Sequence, residues 1–219
     1  MQTDDLIAQL AENAETPTKP LKPPFVRFLM FVGISIFIVV SIFVIGQMFF
    51  GMVLRSDFNE VIKAPLFQLE LFMGTVTALV AAWSAFVLSI PDGRYNKYVK
   101  PVPVILFTLL SILVLSTKTT DTESIWVECT SMSYICFVEI FIIALVPGIV
   151  LFFMVRKAAT VSHNWLGFMG ILSATSIGYV AQRFIEANDD LYHLLIWHII
   201  PVFICSLLGI IVGKYTLKW

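Results

Sequence analysis

Thiols, imidazoles and carboxylates stand close to the ends of the long apolar stretches of this chain. Cys136 and Glu139 lie near the start of one stretch, and His193 and His198 lie near the start of another. Cys129 lies just before Cys136. Residues of these types can bind a metal ion or, in the case of cysteine, undergo oxidation. Because ionisable groups are costly inside a membrane, each of the five is a candidate for function.

The spacing of these residues matches no catalytic or metal-binding motif. No two cysteines have the CxxC spacing of a thiol oxidoreductase, and no Ser-His-Asp or phosphate-binding pattern occurs. A Cys129–Cys136 disulfide requires a non-helical connection, because a helix of that length holds the two Cα atoms about 10.5 Å apart. Buried, unpaired thiols are the alternative. We predict no enzyme activity and no cofactor, and the sequence assigns no metal.

The composition indicates that the elements carrying these residues are membrane helices. The chain has 219 residues, of which 58% are hydrophobic and only 13% are charged, a combination typical of polytopic membrane proteins. The net charge is −1 and no basic cluster occurs, which argues against direct binding of nucleic acid. The first apolar run begins at Phe25, is too long for a signal peptide and lacks a small-residue cleavage site.

Six apolar stretches are candidates for membrane-spanning helices, which need about 20 residues each. They are residues 28–52, 66–90, 104–117, 134–154, 165–184 and 191–212. The third is the shortest. If it does not cross the membrane, the chain has five spans and its two termini lie on opposite sides. The sequence therefore predicts an all-α polytopic membrane protein. Residues 25–219 form a six-helix transmembrane bundle, and residues 1–24 form a tail.

The distribution of basic residues favours six spans with both termini in the cytoplasm, since loops on that side are enriched in Lys and Arg. With this orientation the inner segments carry Lys19, Lys22, Arg27, Arg94, Lys97, Lys100, Arg156, Lys157, Lys214 and Lys218. The outer segments carry only Arg55, Lys63, Lys118 and Arg183. Cys129, Cys136, Glu139, His193 and His198 then lie near the outer surface.

The tail is the only long polar segment, and it is predicted to contain a short amphipathic helix followed by a Pro-rich spacer. Its candidate partner-binding residues are Thr3, Asp4, Asp5, Leu6, Ile7 and Leu10. The hydroxyl and the two carboxylates favour the start of a helix, and the three aliphatic side chains fall on one face. So short a helix is marginal alone in water and is expected to order when it docks in a groove. A tail without a function is the alternative.

Pairing between spans is predicted where polar residues share one depth. Glu139 and His198 both lie about one to two turns below the outer surface, and we predict that they pair and join the fourth and sixth spans. Separate solvation of the two groups is the alternative. Glu70 with Arg183 is a second candidate pair.

Three motifs occur together in this chain. It opens with MQTDDLIAQLA and a Pro-rich spacer, its last span contains HLLIWHIIP, and Cys136 precedes an apolar run to Pro147 and then RKA. With these motifs the whole chain resembles the NrsF family of bacterial six-span membrane anti-sigma factors. The resemblance implies that the tail residues bind an extracytoplasmic-function sigma factor and hold it at the bacterial inner membrane. It also implies that a periplasmic stress, sensed by Cys129, Cys136, Glu139, His193 and His198, releases the sigma factor.

The chain departs from this family at one point. Members often carry a second cysteine in the last outer loop, and residues 185–190 contain none. Cys129 as partner of Cys136, or a metal ion at the acidic loop with His193, are the alternatives for sensing. The expected partners are the sigma factor and the lipid bilayer, and the sequence does not determine the oligomeric state. A small transporter, which would need ionisable groups at mid-depth, and a structural subunit are the competing functions.

Overall fold

The structure is a computed structural model that describes residues 21–118 and 134–217, and in these residues every regular element is helical. In chain order the elements are α1 (Pro24–Phe50), α2 (Phe58–Val61), α3 (Pro65–Leu88), a 3-10 turn (Pro91–Tyr95), α4 (Pro101–Thr117), α5 (Tyr134–Arg156), α6 (His163–Gln182) and the last helix (Leu191–Thr216). The last helix consists of α7 (Leu191–Leu194), a π-helical segment (Leu195–Ile199) and α8 (Ile200–Thr216). The all-α prediction is confirmed for these residues, and each predicted span overlaps one long helix.

The starts of several helices follow from local sequence. Pro24, Pro65 and Pro101 stand at the first positions of α1, α3 and α4, where the missing N–H has no helical partner and the proline φ suits a helix. Asp190 caps the last helix, because its Oδ1 accepts hydrogen bonds from the backbone N–H groups of Tyr192 at 2.9 Å and His193 at 3.2 Å. The cap therefore determines where His193 enters the bundle.

Length and composition support fewer membrane crossings than the sequence predicted. Among the described residues four helices are long and apolar enough to cross a membrane, namely α1, α3, α5 and the last helix. With 17 residues α4 is apolar but short, and α6 is not in this group. The Gly, Ser and Thr residues of α6 lower its mean hydropathy. Most residues of this helix are buried by other helices. The predicted count of six is thus supported for four helices.

The central element of the bundle is α6, which packs against α3, α5 and α8. A Cβ added at Gly167 of α6 would collide with the carbonyl oxygen of Gly209 in α8, and a Cβ at Gly209 would meet Gly167 in return. Small residues of this kind allow close approach of membrane helices. On the α3 side, the Ser173 hydroxyl donates to the Ala78 carbonyl oxygen at 2.9 Å. These contacts fix the position of α6, which carries part of the candidate site.

The first helix, α1, lies at the periphery of the bundle. Its apolar side chains are largely exposed, among them Phe37 with 72% and Phe49 with 74% of the side chain accessible. Phe31 is buried and contacts Phe86 of α3. An apolar surface of this extent suits surrounding lipid, because in water it would promote aggregation.

Candidate functional site: a buried ionisable cluster at one end of the bundle

A network of charged side chains lies where the start of α3 meets the end of α6. The guanidinium Nε of Arg183 donates to Glu70 Oε1 at 2.7 Å, and both side chains are almost completely buried. Arg183 also contacts Asp189 in the loop before the last helix. Breaking a buried pair is costly because it leaves an uncompensated charge. The predicted Glu70–Arg183 pair is therefore confirmed.

Asp189 connects this pair to two other parts of the chain. Its carboxylate accepts hydrogen bonds from Arg55 Nη2 at 2.9 Å and from Lys118 Nζ at 3.1 Å. Lys118 also lies 3.4 Å from Glu70 Oε2, and Arg55 pairs with Asp57 through two hydrogen bonds. We call Arg55, Asp57, Glu70, Lys118, Arg183 and Asp189 the charged network. It joins the start of α3, the end of α4 and the loops that follow α1 and α6.

The charges of the network determine the protonation of Asp189. Burial alone would raise the pKa of this carboxyl group. Arg183, together with hydrogen bonds from Arg55 and Arg183, more than offsets that effect, and the pKa of Asp189 lies well below its usual range. Asp189 therefore stays ionised throughout the physiological pH range.

Cys136, His193 and His198 form a second group, which we call the thiol–imidazole cluster. The Sγ atom and one nitrogen of each imidazole all lie within 4.8 Å of one another, and the three side chains are buried. The two imidazole centroids are 5.3 Å apart. The sequence singled out these residues separately, and the structure brings them together. Thiolate and imidazole are the ligands that zinc prefers in proteins.

The π-helical segment, Leu195–Ile199, explains why the two histidines share a face. In an α-helix, residues five apart point in directions about 140° apart around the axis. The extra residue of a π turn reduces this angle, so that His193 and His198 both face Cys136 of α5. Pro201 lies two residues after the end of this segment, and a proline disturbs the backbone of the preceding turn. That proline is the sequence signal that could have indicated the irregular turn.

The predicted Glu139–His198 pair is wrong. Glu139 Oε2 accepts a hydrogen bond from Gln182 Nε2 of α6 at 2.6 Å, so a neutral amide takes the position predicted for the imidazole. Among the residues that the structure describes, neither nitrogen of His198 has a hydrogen-bond partner. The prediction rested on the similar depth of Glu139 and His198 in their spans. It failed because the two side chains do not point toward each other.

Tyr179 and the loop 183–190 connect the thiol–imidazole cluster to the charged network. The Tyr179 hydroxyl donates to Glu70 Oε1 at 2.6 Å, and its ring meets the His198 imidazole edge-on, with centroids 6.0 Å apart. In the loop, Glu186 Oε2 accepts from the Cys136 thiol at 3.2 Å. Sequence reasoning noted the acidic loop but missed both Tyr179 and the Glu186 contact with Cys136.

Glu186 is also tied to the backbone of its own loop. Its other carboxylate oxygen accepts from the Asn188 N–H at 2.9 Å, and the Asn188 side chain accepts from the Asp190 N–H at 2.9 Å. The position of Glu186 is therefore linked to that of Asp190, the cap of the last helix.

The opposite end of the bundle holds a buried arginine with different partners. Arg27 of α1 donates to Ser89 Oγ at 3.0 Å and to the Met154 carbonyl oxygen at 3.4 Å. Its guanidinium lies over the Phe86 ring, 5.5 Å from the centroid. These contacts attach the first turn of α1 to the ends of α3 and α5.

Several predicted site residues lie outside the described residues. They are Thr3, Asp4, Asp5, Leu6, Ile7 and Leu10 in the tail, and Cys129 before α5. The partner-binding tail and a Cys129–Cys136 disulfide therefore remain predictions.

Comparison with known proteins gives one match. A family model described as NrsF, negative regulator of sigma F, matches residues 11–219. No curated protein and no solved structure matches the chain. The matched range includes every helix that carries the charged network and the thiol–imidazole cluster.

Proposed function

The chain belongs to the NrsF family of negative regulators of sigma F, and we propose that it is a membrane-embedded anti-sigma factor. The family match over nearly the whole chain is the observation that carries this proposal. In this function residues 1–24 bind an extracytoplasmic-function sigma factor and keep it from RNA polymerase. A signal at the periplasmic side of the bacterial inner membrane releases it, and the protein catalyses no reaction.

The proposed topology has six crossings with both termini in the cytoplasm. The distribution of Lys and Arg supports this orientation. A helix the length of α4 spans about 25 Å, which a locally thinned bilayer accommodates. The polar side chains of α6 are buried against its neighbours rather than facing lipid. The charged network and the thiol–imidazole cluster then lie at the periplasmic end, and Arg27 lies at the cytoplasmic end.

The tail is suited to a protein partner rather than to the membrane surface. Asp4, Asp5 and Glu12 make it acidic, and an anionic inner leaflet repels negative charge. The aliphatic face of Leu6, Ile7 and Leu10 is then available for a groove on the sigma factor.

The proposal is tested by capture of the sigma factor with Leu6→Asp and the matched variant Gln9→Asp. Both add one negative charge to the tail, but only Leu6→Asp places it on the apolar face, where an unpaired charge cannot be buried. We expect the sigma factor to co-purify from detergent-solubilised membranes with the wild type and Gln9→Asp. Its recovery with Leu6→Asp should fall at least about tenfold.

Two results would contradict this proposal in different ways. Equal capture by Leu6→Asp and wild type would show that the apolar face of the tail is not the binding surface. Failure of the wild type to retain any sigma factor in its own host cells, under unstressed growth, would refute the anti-sigma function itself.

A further inference from the structure

We propose that Cys136, His193 and His198 form a binding site for one divalent transition-metal ion of the zinc class. The ligands come from two elements, α5 and the last helix. Metal binding by itself does not depend on the proposed function. Its use as the signal that releases the sigma factor does rest on that function.

The geometry of the thiol–imidazole cluster is close to that of a metal site. Zinc binds thiolate at about 2.3 Å and imidazole at about 2.0–2.1 Å, which places tetrahedral ligand atoms roughly 3.5 Å apart. In the structure the three ligand atoms are all within 4.8 Å of one another. Rotations of the side chains that draw each atom inward by about an ångström complete the site, which leaves a fourth position for water or a carboxylate.

The state of His198 points to a missing ligand. Its side chain is completely buried, and neither ring nitrogen has a hydrogen-bond partner in the part of the chain that the structure describes. Buried polar atoms in proteins are nearly always satisfied, because an unsatisfied one loses its hydration without compensation. A metal–nitrogen bond would satisfy the nitrogen that faces Cys136.

The π-helical segment is an independent indication. It replaces regular α-helical hydrogen bonds over Leu195–Ile199 and turns His193 and His198 to the same side. Such irregular turns are rare and are frequently found at functional sites. A metal ion bound by both imidazoles would account for this distortion.

The charges around the cluster balance a divalent ion. On binding, the Sγ–H bond of Cys136 breaks and an Sγ–metal bond forms. The proton passes to the Glu186 carboxylate, which already accepts the thiol hydrogen bond at 3.2 Å, and from there to water. One thiolate and the carboxylate of Glu186 then neutralise the two positive charges. Thiolate and imidazole also select against Mg²⁺ and Ca²⁺, which prefer oxygen ligands.

The same proton transfer connects the site to the rest of the periplasmic end. Once Cys136 is a metal ligand, it no longer donates to Glu186, which is tied to the backbone N–H of Asn188. The loop that follows carries Asp189, the residue shared by Arg55, Lys118 and Arg183. Binding therefore alters the contacts that hold the end of α6 to the start of the last helix.

The site is tested by titrating the purified full-length protein in detergent with Co²⁺, a spectroscopic substitute for zinc, and then displacing it with Zn²⁺. We expect one Co²⁺ per chain, with the charge-transfer absorption of a thiolate ligand. Cys136→Ser should abolish that absorption, whereas Cys205→Ser and Cys129→Ser should retain it. His193→Gln and His198→Gln should each weaken binding by more than about 100-fold, beyond the loss typical of an outer-shell partner. The matched variant His163→Gln, at the other end of α6, should not.

A second measurement does not depend on the variants being folded. Zn²⁺ at a concentration about 100 times its Kd should raise the unfolding temperature of the wild type, because it binds the folded state, whereas Mg²⁺ should not. Absence of a thiolate band, retention of that band in Cys136→Ser, or no stabilisation by Zn²⁺ would overturn the metal site.

The regulatory use of the site is separated from the anti-sigma function by one further comparison. Zn²⁺ should release the sigma factor from the wild type but not from Cys136→Ser. If Zn²⁺ binds and the sigma factor stays bound, the site stands and its role as the signal is refuted. If the sigma factor is captured through the tail but no metal binds, the metal site is refuted and the proposed function stands.

Discussion

The two ends of the helix bundle each bury an arginine, but they compensate its charge in different ways. Arg183 meets the carboxylates of Glu70 and Asp189, whereas Arg27 meets a serine hydroxyl and a backbone carbonyl oxygen. At the Arg183 end every member of the charged network except Asp57 pairs with at least two others. At the Arg27 end the close contact of Gly167 with Gly209 and hydrogen bonds from Arg27 to uncharged acceptors hold the helices together.

Because of this difference, the two ends respond differently when one of their contacts changes. A network of charges can be rearranged when one member changes its partner, because every other member then becomes uncompensated. At the Arg27 end the acceptors are uncharged and the glycine contacts are steric, so a change of one partner leaves no carboxylate uncompensated. Under the proposed function, the end with the charged network would respond to the signal, and the contacts of Arg27 would hold the first turn of α1 in place.

The largest effect is expected from Glu70→Gln. This substitution removes the buried carboxylate that pairs with both Arg183 and Lys118 and should lower the free energy of unfolding by about 3–5 kcal/mol. Glu60→Gln is the matched control, because Glu60 is exposed on α2. Chemical unfolding in detergent measures both. Equal stability of the two variants would mean that the charged network does not hold this end together.

A smaller effect is expected at the opposite end from Gly167→Ala. The added Cβ meets backbone rather than a flexible side chain, and overpacking of this kind costs about 1–3 kcal/mol. Gly33→Ala on α1 is the matched control, since nothing lies within 4 Å of its added Cβ. Thermal unfolding of the two variants in the same detergent compares them. A stabilising Gly167→Ala would show that α6 and α8 are not packed through these glycines.

The smallest effect concerns pH. Because Arg183 and Arg55 lower the pKa of Asp189, its stabilising contribution is present above its unfolded pKa of about 3.9 and is lost as the pH falls through the lower folded value. The difference in unfolding midpoint between wild type and Asp189→Asn should therefore stay constant from pH 7 to about pH 5. Below about pH 4 it should shrink.

Asp92→Asn is the control for this pH series, because Asp92 is exposed and lies at the Arg27 end. Its unfolding midpoint should follow that of the wild type at every pH. A difference between wild type and Asp189→Asn that already shrinks between pH 7 and pH 5 would contradict the lowered pKa of Asp189.

Sequence patterns were sufficient to predict the helices and one ion pair, Glu70 with Arg183. Long apolar runs can satisfy their backbone groups only as helices in a membrane, and prolines such as Pro65 and Pro101 mark where helices start. The ends of the spans then indicate depth. Glu70 and Arg183 were matched on that basis, and they pair because their helices are direct neighbours.

The same reasoning failed for Glu139 and missed the thiol–imidazole cluster. Depth alone does not say which way a side chain points around its helix, and Gln182 of α6 reaches Glu139 instead of His198. The rotation of His193 and His198 toward Cys136 depends on a π turn, which periodicity of apolar residues does not reveal. Assigning the ionisable residues to one end of the bundle was possible; assigning their partners was not.

By itself, the sequence determined the helical class and the approximate ends of the helices that the structure describes. These properties follow from hydrophobicity and local backbone preference, which each segment carries with it. Only the tertiary structure decided that Asp189 joins Arg55, Lys118 and Arg183, and that Cys136 meets His193 and His198. Those contacts depend on how closely α6 packs against its neighbours and how each helix is rotated, and both are set by packing between segments far apart in the chain.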